Sequence, residues 1–199
     1  MKNGRLKIWE LSLLLALCVS LCWGVFLQGR QTELAGKLIR LHVIAEDDSP
    51  AEQELKLRVR DAVLEQLAPL TESAASAEQA RSAIQAELPL LEQAAEAAAP
   101  GKDVTVLFGP ESYGTRSSGG CTLPAGTYCS LRVVIGRGGG HNWWGVIFPQ
   151  LTDFASGGSA DAAKLLGEKD FALITEDGGG VQVRFRFLEW LEELRELFR

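Results

Sequence analysis

The chain has 199 residues, a formal charge of −6 at neutral pH and an apolar fraction of 46%. With five tryptophans, that fraction is enough for one hydrophobic core and excludes a wholly disordered chain. The acidic balance, with no basic stripe, excludes a nucleic-acid binder working through phosphate contacts and adhesion to an anionic membrane by charge alone.

The N-terminus stands apart. Lys2, Arg5 and Lys7 precede "LSLLLALCVSLCWGVFL", an uncharged run from Leu11 to Leu27. This reads as a secretory signal or an uncleaved signal anchor. Its basic flank holds the N-terminus in the cytoplasm and sends the remainder across the membrane. Cys18 and Cys22 each follow a bulky leucine, so neither sits in a lipidation box. The organisation expected is a signal or anchor over 1–29, one exported domain over 30–152, and a C-terminal extension over 153–199 packed on it. Residues 1–29 hold three bases and one acid, so the exported part is more acidic than the whole.

In "KLIRLHVIAEDDSP", Ile39, Leu41 and Val43 alternate with Arg40 and His42, which predicts a strand. Glu46 to Ser49 form a turn. Ser49 then serves as N-cap, Pro50 takes the first helical position and Glu52 closes a capping box. Leu55, Val59, Val63 and Leu67 mark the buried stripe of the helix that follows. Glu52–Lys56 and Glu54–Arg58 are spaced to pair on its exposed side. The alanine-rich stretch to Gly101 predicts two loosely packed helices separated at Pro89.

"KDVTVLFG" predicts a strand with Val104, Val106 and Phe108 on one face. "CTLPAGTYCSLRVVIG" predicts a hairpin or wide turn at Pro124-Ala125-Gly126, leading into a strand from Tyr128 to Ile135. "GRGGG" links this to a strand in "HNWWGVIFP". Beyond Leu151 come a polar connection, a hairpin in "FALITEDGGGVQVRFRF" and the amphipathic "LEWLEELRELF". Strands and helices mix without regular alternation, so the fold class is α+β with a mixed or antiparallel sheet.

Chemistry is sparse. "GRGGGH" ends on His141 where a dinucleotide fingerprint needs glycine, and a strand follows where a helix should begin. His42 and His141 have no spacing that forces them onto one metal with Asp47 or Asp48. No nucleophile elbow is present. The reading is of a chain that is no enzyme, with no catalytic residue, metal or cofactor. Cys121 and Cys129, both in the exported part and four residues either side of Ala125, suggest a disulfide in an oxidising space. Two buried thiols are the rival. Trp143 and Trp144 must point to opposite faces of their strand. One is then core, and the other is either covered or an exposed contact for a protein or a sugar.

Several strings taken together are specific. "LIRLHVIAEDDSP", "KLRVRDAVL", "LPAGTY" and "LRVVIGRGGGHNWWGVIFPQL" resemble, in order, the stage II sporulation protein R family of endospore-forming bacteria. The resemblance implies a protein made in the forespore and exported into the space between the two membranes around it. There such proteins trigger a membrane-embedded aspartic protease of the mother cell, which cleaves the precursor of sigma factor E. The chain would be the ligand, bound to the membrane through its N-terminal segment if uncleaved. Arg40, His42, Asp48, Asn142, Trp143 and Trp144 are then the candidate partner-binding residues. The chain departs from the family's usual pattern at Gly145 and Thr152, which stand where cysteines are common, and at Gln150, which replaces a proline. Two other classes compete: a secreted cell-wall or carbohydrate-binding module using an exposed tryptophan, and a weak metallohydrolase using His42 and His141.

Overall fold

The computed structural model describes residues 8–118, 121–149, 165–167, 170, 171 and 174; at 27, 28, 30, 117, 118 and 121 it describes the backbone alone. A long helix, α1 (Ile8–Gly36), leads into strand β1 (Ile39–Ile44). Helices α2 (Pro50–Glu72), α3 (Ala77–Ala86) and α4 (Leu88–Ala98) follow. Then come β2 (Val104–Tyr113), β3 (Arg116–Ser118), β4 (Cys121–Leu123), β5 (Gly126–Ile135) and β6 (Asn142–Phe148). The four long strands make one sheet in the order β2-β5-β1-β6, and β3 and β4 make a small ribbon. β1 runs parallel to β5 and antiparallel to β6, while β2 runs antiparallel to β5. The fold is therefore α+β with a mixed sheet, as the element pattern predicts.

The alternation of β1 decides the layers. Ile39, Leu41 and Val43 face α2, α3 and α4 in one core with Leu131, Val133 and Ile135 of β5. The stripe Leu55, Val59, Val63 and Leu67 supplies the helical side. At Ser49 the side-chain oxygen accepts from the Glu52 amide, and Pro50 opens the helix. Removing that cap with Ser49→Ala should lower stability by about 1 kcal/mol. A denaturant midpoint unchanged from wild type would contradict this.

Several details differ from expectation. α2 runs on through Pro69, whose missing amide falls on the exposed side. Glu54 pairs with Arg58, but Glu52 does not pair with Lys56. Glu52 reaches Lys102 at 2.8 Å. Lys56 is buried and donates to Gln53 Oε1 and to the His141 carbonyl. The α3–α4 stretch is not loosely packed: Ala80, Ile84, Leu91 and Ala95 are fully buried, and Pro89 lies in the first turn of α4. Small alanines let these helices approach the core closely.

The disulfide is not formed. Cys129 is a free thiol, and the Cys121 side chain lies outside the described residues. The reason is pairing. β4 pairs with β3, placing Cys121 opposite Ser118, whereas Cys129 of β5 lies between Ile39 and Pro110. The turn at 124–126 thus changes partners and does not close a hairpin.

The hairpin expected over 171–187 lies largely outside the described residues. Phe171 and Ile174, however, are helical. Leu166, Asp170 and Ile174 recur at helical spacing and are buried. Leu166 and Ile174 join Leu34, Ala35, Leu38, Leu123, Tyr128 and Val146 in a second core. Asp170 accepts from Lys37 at 2.6 Å.

Candidate functional site

The other face of the sheet collects polar residues. The register sets Arg40 beside Ser130 and Val146, and His42 beside Arg132 and Trp144. On β5, Ser130 lies opposite Gly109 and Arg132 opposite Leu107. Glu111 and Tyr113 continue the same face of β2. Strand parity therefore brings Arg40, His42, Glu111, Tyr113, Tyr128, Ser130, Arg132 and Trp144 onto one surface, at the strand spacing of about 4.8 Å.

Arg40 is fully buried at the centre. Its guanidinium carbon lies 4.1 Å from the ring centre of Tyr113 and 5.1 Å from those of Tyr128 and Trp144. Such cation–aromatic contacts suit a weakly hydrated guanidinium. Burial lowers its pKa, yet an arginine remains charged. His42 stacks on Tyr113, with ring centres 4.2 Å apart. The Asn142 amide donates to its Nδ1 at 2.7 Å. Burial, and secondarily the Arg40 charge, push the His42 pKa down to about 3, so its ring is neutral. The Tyr113 hydroxyl donates to Glu111 Oε2 at 2.6 Å and lies 2.7 Å from Ser130 Oγ. Burial raises its pKa. Arg132 completes the chain with an ion pair to Glu111 at 2.8 Å.

Asp48 is separate from this cluster. It accepts from the His141 amide at 2.6 Å, and its Oδ1 lies 2.5 Å from His141 Nδ1. The amide hydrogen bond, more than the ring, holds its pKa below the usual carboxylate range. This pair ties the turn after β1 to the loop before β6. His42 and His141 are thus partnered separately, and the metallohydrolase pairing is not assembled. Among the described residues no group of three or more His, Cys, Asp or Glu is placed to hold a metal.

The two tryptophans do face opposite ways. Trp143 packs against the helical core and Trp144 against the second core. Both are half-buried, so the expectation of one fully enclosed core tryptophan is corrected, and the other takes neither of the two places left open for it, fully covered or bare. Each has a guanidinium over its ring at 5.1 Å, Arg60 on Trp143 and Arg40 on Trp144. In each case the ring face under the guanidinium is closed to sugar stacking. Gly145 has a role here: a Cβ there would meet the Trp143 indole at 2.7 Å.

Of the six candidates, Arg40, His42, Asn142 and Trp144 come together, while Asp48 and Trp143 lie elsewhere. Sequence reasoning missed Glu111, Tyr113, Tyr128, Ser130 and Arg132. Their signal was the parity opposite to Val106, Phe108, Leu131 and Val133, which has meaning only once the register is known.

The family model described as stage II sporulation protein R matches residues 35–156. That range begins at the end of α1 and includes every member of the cluster. The stage II sporulation protein R of Bacillus subtilis (strain 168) is 31% identical over 180 residues, covering 78% of this chain and 80% of that protein. No solved structure matches. The chain belongs to the stage II sporulation protein R family.

Proposed function

We propose that the chain is an exported sporulation signal, which switches on a membrane-embedded aspartic protease of the mother cell and so leads to processing of the sigma factor E precursor. The observation that carries this reading is family membership over the whole folded domain. The chain acts as ligand, and the peptide bond is cut by the protease. Export is supported by α1, which is long and apolar enough to cross a membrane and lies near the N-terminus. The apolar part of α1 is exposed, while Leu34 and Ala35 at its end are buried in the domain. An uncleaved α1 would therefore hold the domain close to the membrane surface, where a membrane-embedded protease presents its outer parts. The competing classes draw less support, since each tryptophan is half-buried with a guanidinium over its ring and the two histidines are separately partnered.

Co-expression in a non-sporulating host tests the reading. The full chain, the candidate protease and the sigma precursor together should yield processed sigma factor, and omission of any one should abolish it. Processing without this chain, or by the purified chain without the protease, would sink the proposal.

A further inference from the structure

The cluster on the outer sheet face has an imbalance of hydrogen-bonding groups. Arg40 is buried, and its Nε, Nη1 and Nη2 have no partner among the described residues. The same is true of His42 Nε2 and Arg132 Nε. His42 Nδ1 accepts from Asn142, so Nε2 carries the ring proton. Every unpartnered polar side-chain atom in this cluster is thus a donor. Buried donors in native proteins normally have acceptors, and the cluster's carboxylate, Glu111, is already taken up by Tyr113 and Arg132.

A cavity of about 330 Å³ opens beside them, lined by Leu107, Phe108, Gly109, Pro110, Glu111, Ser130 and Arg132. Gly109 creates the notch. Leu107 and Glu111 flank it on the same face, and a Cβ at 109 would meet nothing within 4 Å. Ser130 is the register partner of Gly109 on one side and of Arg40 on the other. The notch at Gly109 is therefore two strands, about 10 Å, from the strand of Arg40, with Ser130 between them. Tyr113, half-buried and held by the Ser130 and Glu111 hydrogen bonds, lays its ring over Arg40. A ligand that reaches Arg40 from the notch must displace this side chain.

Charge and shape narrow the occupant. Arg40, Arg116 and Arg132 act on this face against Glu111, an excess of positive charge in an acidic chain. Three ring faces crowd the carbon of the Arg40 guanidinium, which leaves the N–H edge for a ligand. A coplanar fork of donors matches the two oxygens of a carboxylate. Leu107, on the same face as Gly109, offers an apolar wall to a residue beside it.

We propose that the Gly109 notch and the Arg40 donors behind it form a recognition site for an Asp or Glu side chain presented by a peptide segment of a partner protein.

The test is a titration of the full chain in neutral detergent, followed through the ¹⁵N–¹H resonance of Arg40 Nε, assigned by its loss in Arg40→Lys. Acetyl-Leu-Glu-Leu-amide should shift that resonance saturably. The matched glutamine peptide should bind at least tenfold more weakly, and so should inorganic phosphate. Gly109→Leu fills the notch where no atom stands, so it should keep the native circular dichroism spectrum while weakening the glutamate peptide at least tenfold. Absence of a shift, equal binding of the glutamine peptide, tighter binding of phosphate, or undiminished binding in a natively folded Gly109→Leu chain would each overturn the proposal. The titration contains no protease, so its failure is distinguishable from failure of the activation reading.

Discussion

Gly140→Ala should lower the stability of the domain by about 3 kcal/mol or more, although the change adds one methyl group to a partly exposed loop. A Cβ at 140 would stand 2.3 Å from the Asp47 carbonyl oxygen and 2.5 Å from its carbon. Both are backbone atoms, so no rotamer change relieves the overlap. The loop must move away from the turn after β1. Three contacts hold it there: Gly139 N to Glu46 O at 3.0 Å, Gly140 N to Ala45 O at 2.9 Å, and the His141 amide to Asp48 at 2.6 Å. Overpacking a close contact costs roughly 1–3 kcal/mol, and each hydrogen bond lost adds about 1 kcal/mol. Lys56, which donates from a buried position to the His141 carbonyl and to Gln53, would lose the first of these two acceptors as well. Chemical denaturation of wild type and variant checks this. A midpoint shift no larger than that of an ordinary surface substitution would show that the loop has room the geometry denies.

Acid should destabilise the domain through His42 before its carboxylates respond. The ordinary histidine value is 6.5, and in the fold it falls to about 3. At pH 7 both folded and unfolded forms are neutral at this residue, and it contributes no pH dependence. As pH falls below 6.5 the unfolded chain takes up a proton that the folded chain refuses, so stability drops. The loss continues until the folded pKa is reached. One pH unit corresponds to about 1.4 kcal/mol, so moving from pH 6.5 to pH 5 should remove about 2 kcal/mol, and the full interval on the order of 4 kcal/mol. The cause is physical: the ring is buried and lies near Arg40, Arg116 and Arg132, none of which titrates in this range. Asp47 and Asp48, whose pKa values are lowered below 3.8, lose their stabilising contribution only at lower pH. His42→Phe keeps an aromatic ring against Tyr113 and removes the titration. Denaturation at pH 7 and pH 5 should show this component in wild type and not in His42→Phe. Equal losses in the two proteins would mean that the ring is protonated readily in the fold.

Both effects depend on how strands come together, which marks the limit of the sequence. The alternation of Ile39, Leu41 and Val43, the cap at Ser49, the stripe from Leu55 to Leu67 and the apolar run from Leu11 to Leu27 were all legible in the sequence. Each is a local pattern whose period or capping chemistry is set by residues close along the chain. What faced Arg40 and His42 was not legible. Their alternation with apolar residues suggested an ordinary polar side of a half-buried strand. They are buried because β1 lies inside the sheet between β5 and β6, with Tyr113 reaching across from β2. That position comes from pairing between segments some 90 to 110 residues apart, as in Arg40 with Ser130 and Val146. The same holds for Cys129, whose neighbours are Ile39 and Pro110 and not the cysteine eight residues before it. Local propensity determined which stretches became strands and helices; the tertiary register alone decided which side chains met, because a shift of one residue sends every side chain to the other face.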